Sequence, residues 1–169
     1  TSVSFSHTRN RIASGSGDHS VKVWNTTTGS CLRTLQDHEF DIVSKVVSVS
    51  YSPAKEHIAS ASWDNKIRVW NADNGICLCT IEQQVEPWSV SYSHDGKHIV
   101  SGWVDHTVRV WNVEDPTVES PPKQFTHNAV ETVSYSSDGK RILSGSGLPH
   151  NNVKVWNADT LDCLHTLEG

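Results

Sequence analysis

Serine, aspartate and tryptophan recur in this chain at one fixed spacing. Ser14 precedes Asp18 by four residues, and Asp18 precedes Trp24 by six. Ser60, Asp64 and Trp70 repeat the pattern, as do Ser101, Asp105 and Trp111. With histidines nearby, a hydroxyl, a base and a carboxylate suggest the nucleophile, general base and orienting acid of a hydrolytic triad. Two features argue against that chemistry. The set returns in successive repeats, and each copy includes a tryptophan, which no triad needs. Indole carries one N–H donor, a hydroxyl donates and accepts, and a carboxylate on a turn accepts several bonds. Such a set satisfies buried polar groups that would be costly if left unpaired. No catalytic residue is therefore expected, and the chain reads as a non-enzyme. The ten histidines show no His-x-His spacing and the cysteines no Cys-x-x-Cys spacing, so neither a metal nor another cofactor is expected. Ser14-Gly15-Ser16-Gly17 is a strand running into a turn, not a strand-to-helix phosphate loop.

The elements that place these residues are periodic. Val-Trp-Asn occurs with its tryptophan at Trp24, Trp70, Trp111 and Trp156, spaced 46, 41 and 45 residues apart. That is the ~40–45-residue period of a four-stranded blade. Each unit opens on a strictly alternating strand: Ser2–Ser6, Ser48–Ser52, Ser89–Ser93 and Thr132–Ser136. Asp95-Gly96 and Asp138-Gly139 are hairpin turns. A second strand, a strand ending in tryptophan, another turn and a last strand follow. The last strands begin at Cys31, Cys77 and Cys163. In the third unit Asp115-Pro116 and Pro121-Pro122 lengthen the turn and leave Gln124-Phe125 as the strand remnant. The expected blades span 1–37, 38–83, 84–126 and 127–169, with no helix.

Composition narrows the function. The 169 residues carry a net charge of −5 with charges scattered singly, so no basic face for nucleic acid is expected. No apolar stretch approaches the ~20 residues that cross a bilayer, and residues 1–6 do not read as a signal peptide. Methionine is absent, so the chain reads as trimmed from something longer. Cys31, Cys77 and Cys163 occupy equivalent places in separate repeats, which favours free, buried thiols in a reducing, cytoplasmic setting over disulfides. The Asn25-Thr26-Thr27 sequon falls in a repeat turn and reads as chance.

These repeats resemble the WD-repeat family along the whole chain. The wording Trp-Asn-Ala-Asp, Cys-Leu-His-Thr-Leu-Glu-Gly and Ser-Tyr-Ser-Ser-Asp-Gly-Lys-Arg-Ile is similar to the repeat arrays of fungal NACHT-type signalling ATPases, including heterokaryon-incompatibility proteins. The resemblance implies an all-β propeller of four antiparallel blades. It also implies a buried His–Ser–Asp–Trp tetrad per blade. The tetrad residues would be Ser14, Asp18 and Trp24; His38, Ser60, Asp64 and Trp70; Ser101, Asp105 and Trp111; and His127, Ser144 and Trp156. Gln83 stands where the third blade wants its histidine. His150 replaces the fourth blade's turn carboxylate after an insertion at Leu148-Pro149, with Asn151 as a candidate substitute. Every tryptophan precedes Asn where the family has Asp, and Asn still caps a turn.

The resemblance further implies a docking face built from the loops that enter each first strand and those between second and third strands. Lys45, Val47, Glu86, Trp88 and Glu131 lie at strand entrances, and His19, Trp63, Val104 and His106 beside the turn aspartates. Trp63 and Trp88 fall outside the repeat pattern and are candidate hot spots, with channel filling as the competing reading. Trp103 replaces a small residue and reads as packing. The expected function is a protein-interaction scaffold that binds a protein or peptide. A glycan-binding propeller is the alternative, disfavoured because equivalent loop positions differ. Half a ring would expose two apolar faces. The favoured resolution is a homodimer that closes an eight-bladed ring, ahead of a longer propeller and of four blades closing alone.

Overall fold

The computed structural model describes residues 2–36, 44–114, 122–149 and 151–168. Sixteen strands form four antiparallel four-stranded sheets, each contiguous in sequence. The first holds β1 (Ser2–Phe5), β2 (Arg11–Gly15), β3 (Val21–Asn25) and β4 (Cys31–Leu35). The second holds β5 (Val46–Tyr51), β6 (His57–Ser62), β7 (Lys66–Asn71) and β8 (Cys77–Glu82). The third holds β9 (Pro87–Tyr92), β10 (His98–Trp103), β11 (Thr107–Asn112) and β12 (Lys123–Thr126). The fourth holds β13 (Val130–Tyr135), β14 (Arg141–Ser146), β15 (Asn152–Asn157) and β16 (Cys163–Glu168). The sheets do not close into a ring.

Local chemistry sets the hairpins. Asn25, Asn71 and Asn157 each end a third strand, and each side-chain carbonyl accepts two backbone N–H groups of the following turn, at 2.8–3.1 Å. Asparagine thus caps the turn without a charge. Gly29 and Gly75 close the first two of these turns with φ of 71° and 81°, the left-handed region that glycine enters without a Cβ clash. The register then slips by one residue, so that Trp24 pairs with Cys31, Trp70 with Cys77 and Trp156 with Cys163. β12 contains Gln124 and Phe125 and pairs with β11. The prolines that lengthen its approach, Pro116 and Pro121, lie outside the described residues.

The core lies between blades, in three clusters. Ala13, Val21, Val23 and Leu35 of blade one meet Val49, Tyr51, Ile58 and Trp70 of blade two. Ala59, Ile67 and Val69 meet Val90, Tyr92, Ile99 and Trp103. Val100, Val108 and Val110 meet Val133, Ile142 and Trp156. Period-two alternation explains why one strand serves two seams. In the first strands the valines and tyrosines face the preceding blade, while the serines face the following one. Ser2 and Ser4 accept the N–H groups of Val49 and Tyr51, at 3.2 and 2.9 Å. Ser48 and Ser50 do the same for Val90 and Tyr92 at 3.1 and 3.0 Å, and Ser89 and Ser91 for Val133 and Tyr135 at 3.1 and 3.4 Å.

The cysteines depart from expectation. All four are free, but Cys31 and Cys163 are exposed and Cys77 and Cys79 only half-buried. Cys77 and Cys79 pack against the first and second core clusters.

Two outcomes follow. Ser50→Ala leaves the Tyr92 N–H without its acceptor inside a seam, and should cost about 1–2 kcal/mol in denaturant unfolding. Second, a hydrogen bond from the Ser20 hydroxyl holds the Asp18 carboxyl at about 2, below its ordinary 3.8. A hydrogen bond from Arg11 and one from the Ser136 hydroxyl similarly lower Asp73 and Asp138. A depressed carboxylate stabilises the fold above its unfolded value and loses that contribution as pH falls through the folded one. The melting temperature should therefore decline between pH 3.8 and about 2, modestly because these groups are solvated.

Candidate functional site

Each second strand carries a serine that meets the third strand's tryptophan. Trp24 Nε1 donates to Ser14 Oγ at 2.9 Å, and Trp70, Trp111 and Trp156 donate to Ser60, Ser101 and Ser144 at 2.8 Å. The turn aspartates bind locally. Asp18 accepts from the Ser20 N–H and hydroxyl at 3.1 and 2.6 Å and from Lys22 at 3.4 Å. Asp64 accepts from the Lys66 N–H at 3.2 Å and from Arg68 at 2.8 Å. Asp105 accepts from the Thr107 N–H at 3.1 Å and from Arg109. Each carboxylate thus fixes its own turn and neutralises a cation four residues on.

Blade four assembles a histidine. His127 Nδ1 lies 2.7 Å from Ser144 Oγ, and Nε2 lies 2.6 Å from Asn152 Oδ1. Since Oδ1 can only accept, Nε2 carries the ring proton, and in the neutral ring Nδ1 takes the Ser144 hydroxyl. The substitute for the missing carboxylate is therefore Asn152, not Asn151. The two-residue insertion explains this, because Ser144 and Trp156 are 12 residues apart where the other blades have 10. His150 and His38 lie outside the described residues. Ser144 is fully buried between the His127 ring and the Trp156 indole.

Blade three differs again. Trp103 Nε1 donates to Ser101 Oγ at 2.7 Å, so Ser101 serves two indoles at the place where Ser144 meets His127. Gln83 does not reach that serine. Its Oε1 accepts from Arg109 at 2.9 Å, and Arg109 stacks over Trp103 at 4.8 Å. Sequence reasoning placed Trp103 in the packing but missed this hydrogen bond. Its signal in the sequence was a tryptophan two residues after the serine that recurs in each repeat.

The loops above these networks gather the other residues. Backbone bonds tie each strand entrance to the adjacent turn: Trp63 N–H to Lys45 O, Val104 N–H to Glu86 O and Gly147 N–H to Ala129 O, all at 3.1 Å. Trp63 and Trp88 of adjacent blades meet edge to face, with centroids 5.2 Å apart and planes at 80°. Lys45 Nζ sits 3.7 Å from the Trp63 ring centroid. Trp63 is half-buried, and its indole N–H finds no acceptor among the described residues. Trp88 and Val104 are each 40% exposed, and Glu86 beside them is exposed. Val47 turns instead into the core between blades two and three. His19 and His106 hold turns at φ of 68° and 66°, and His106 Nδ1 accepts the Ala129 N–H at 2.9 Å. Glu131 is exposed at the fourth blade's entrance. Lys45, Trp63, Trp88, Glu86 and Val104 thus share one surface across blades two and three, while His19 and Glu131 stand on blades one and four.

At the opposite end of the strands a cavity of about 520 Å³ opens between blades three and four, lined by His94, Asp95, His98, Tyr135, Asp138 and Asp159 among others. The corresponding place between blades one and two is filled by Arg9 and Arg11, each on Asp73 at 2.6 and 2.7 Å. Among the described residues no group of three or more His, Cys, Asp or Glu is arranged to hold a metal ion.

Ser101→Ala strands two buried indole N–H groups and should cost about 2–4 kcal/mol. Ser14→Ala strands one, on the half-exposed Trp24, and should cost less than half of that in the same denaturant titration.

Comparison with protein families matches four copies of one repeat, described as WD domain, G-beta repeat, at residues 1–25, 29–71, 75–112 and 119–157. Each matched stretch ends at or beside an asparagine that follows a serine-bonded tryptophan, and the later three span the fourth strand of one sheet and the first three of the next. With four sheets, four Ser–Trp bonds and four matched copies in one register, the chain belongs to the WD-repeat family.

Proposed function

We propose that the chain is a protein-interaction module that captures a protein or peptide on the loop face centred on Trp63 and Trp88. WD repeats generally mediate protein–protein contact. The observation that carries the site is the Trp63–Trp88 pair, packed edge to face under Lys45, with Trp88 open to solvent. A rigid indole pair offers large contact area at low entropic cost, which is why tryptophan dominates interface centres. Lys45 and Glu86 frame the patch with opposite charges, a rim that sets register more than affinity. The partner is therefore a segment with an apolar or aromatic anchor. This reading assigns no catalytic step. It places the chain as the sensing part of a cytoplasmic fungal signalling receptor, as the repeat wording suggests. A lectin would repeat its pocket in each blade, whereas Gly17, Trp63 and Val104 occupy one equivalent position.

A peptide library displayed on phage and selected against the immobilised chain tests this reading. Trp88→Ala and Trp63→Ala should each weaken the selected peptides roughly 30-fold or more, the mark of a residue worth ~2 kcal/mol. The Trp88→Ala variant should keep its β-sheet circular dichroism and a cooperative melt, since that side chain lies at the surface, 40% exposed. Peptides that bind both variants normally would refute the site, and a glycan-array signal lost in both would favour the lectin.

A further inference from the structure

A turn carboxylate follows the third strand in blades two, three and four: Asp73, Glu114 and Asp159, each the third residue past its tryptophan. Asp73 carries two guanidinium groups from blade one, Arg9 at 2.6 Å and Arg11 at 2.7 Å. Glu114 takes Lys97 of its own blade at 3.1 Å. Asp159 pairs with no cation among the described residues, and it lines the cavity of about 520 Å³ between blades three and four.

Two replacements empty that space. His98 holds the register place of Arg11, since they pair with Asn112 and Asn25 respectively. Gly96 holds the place of Arg9, in a turn closed by the same backbone bond: Ser93 N–H to His98 O and Ser6 N–H to Arg11 O, both 2.9 Å. Blade three thus lacks both guanidinium groups, while blade four keeps the carboxylate that would receive them. Its turn is capped alike, the Asp159 and Asp73 N–H groups donating to Asn157 and Asn71 Oδ1 at 2.8 and 2.9 Å. Asp95 and Asp138 add carboxylates to the cavity where the first seam has Thr8 and Ala54. Each gives Oδ1 to a serine hydroxyl and a backbone N–H of its own turn, and among the described residues Oδ2 has no hydrogen-bond partner. Burial, then the Asp95 and Asp159 carboxylates, push the Tyr135 phenol up, so acidic groups of both blades converge on it. At the equivalent Tyr51 the Arg11 charge opposes Glu56 and Asp73. Against these three carboxylates the described lining has one Lys or Arg, the exposed Lys123 at the register place of Arg33.

We infer that the cavity between blades three and four binds arginine side chains of a partner peptide, with Asp159 as the guanidinium acceptor and His98 as the short wall that leaves room for them. The first seam shows which chemistry this arrangement holds, because there the chain supplies the arginines itself. Arg9 and Arg11 stand one residue apart, so a segment of the form Arg-x-Arg presents the same pair of groups. A planar guanidinium matches carboxylates through two parallel N–H bonds, which a lysine ammonium cannot do. The volume falls within the ~300–1,000 Å³ of ligand pockets. The site lies at the opposite end of the strands from Trp63 and Trp88, so it stands independently of what binds the loop face.

Titrating acetyl-Arg-Asn-Arg-amide, the order of Arg9 to Arg11, into the isotope-labelled chain tests the site by nuclear magnetic resonance. The amide signals of Asp138, Gly139 and Asp159 should shift together and saturate. Asp159→Asn should weaken the peptide about ten-fold, the scale of one charge-assisted hydrogen bond. That variant should melt as the parent does, because the Asp159 carboxylate holds no hydrogen bond among the described residues. His98→Arg should abolish binding, by refilling the cavity as Arg11 fills the first seam. The matching Lys-Asn-Lys peptide should bind several-fold more weakly, and Trp88→Ala should leave the affinity unchanged. Three results overturn the proposal: no saturable shift at the cavity residues, equal binding by the parent and both cavity variants, or equal binding of the lysine peptide. Shifts that map to Trp63 and Trp88 and vanish in Trp88→Ala overturn it as well, and assign the peptide to the loop face.

Discussion

Each blade's first strand is a sheet edge, and the molecule depends on what covers it. An edge strand presents a row of unpaired N–H and C=O groups that recruit other strands if left open. Here the alternate N–H groups of β5, β9 and β13 are taken by serine hydroxyls from the blade before. A hydroxyl is short enough to bridge two first strands while valine and tyrosine pack on the other side. Polar satisfaction and apolar burial therefore share one seam, and neither face of a blade is complete without its neighbour. That is the defining dependence of a repeat architecture.

The tryptophan–serine bond plays the corresponding role inside a blade. It pins the third strand to the second at the same height in all four sheets. Its surroundings are tolerant. Histidine accepts from the Ser144 hydroxyl in blade four, whereas in blade three a second indole donates to Ser101. What must be kept is a polar partner for each buried hydroxyl, not the identity of the group that supplies it. A scaffold held this way frees its loops to vary. The loop face duly carries Gly17, Trp63 and Val104 at equivalent places, and those differences give the seam between blades two and three an aromatic surface, the Trp63–Trp88 pair.

The sequence by itself determined the repeat, the strands and the Ser–Trp pairing. Period-two alternation and a tryptophan every 41 to 46 residues are local signals that survive without coordinates. It also singled out Trp63 and Trp88, because a large aromatic that breaks a repeat is visible in one dimension. Tertiary structure alone decided which groups meet across turns. Asn152 and not Asn151 reaches His127, since an insertion shifts the turn and one residue of slip sends a side chain the other way. Trp103 and not Gln83 reaches Ser101, since bond length and direction, which residue counting does not carry, choose between the two groups. The exposure of the cysteines was equally invisible, because alternation tells which face a residue shares but not whether a neighbour covers that face. The same reason makes Val49 a core residue: the alternation of its strand does not say that blade one covers that face.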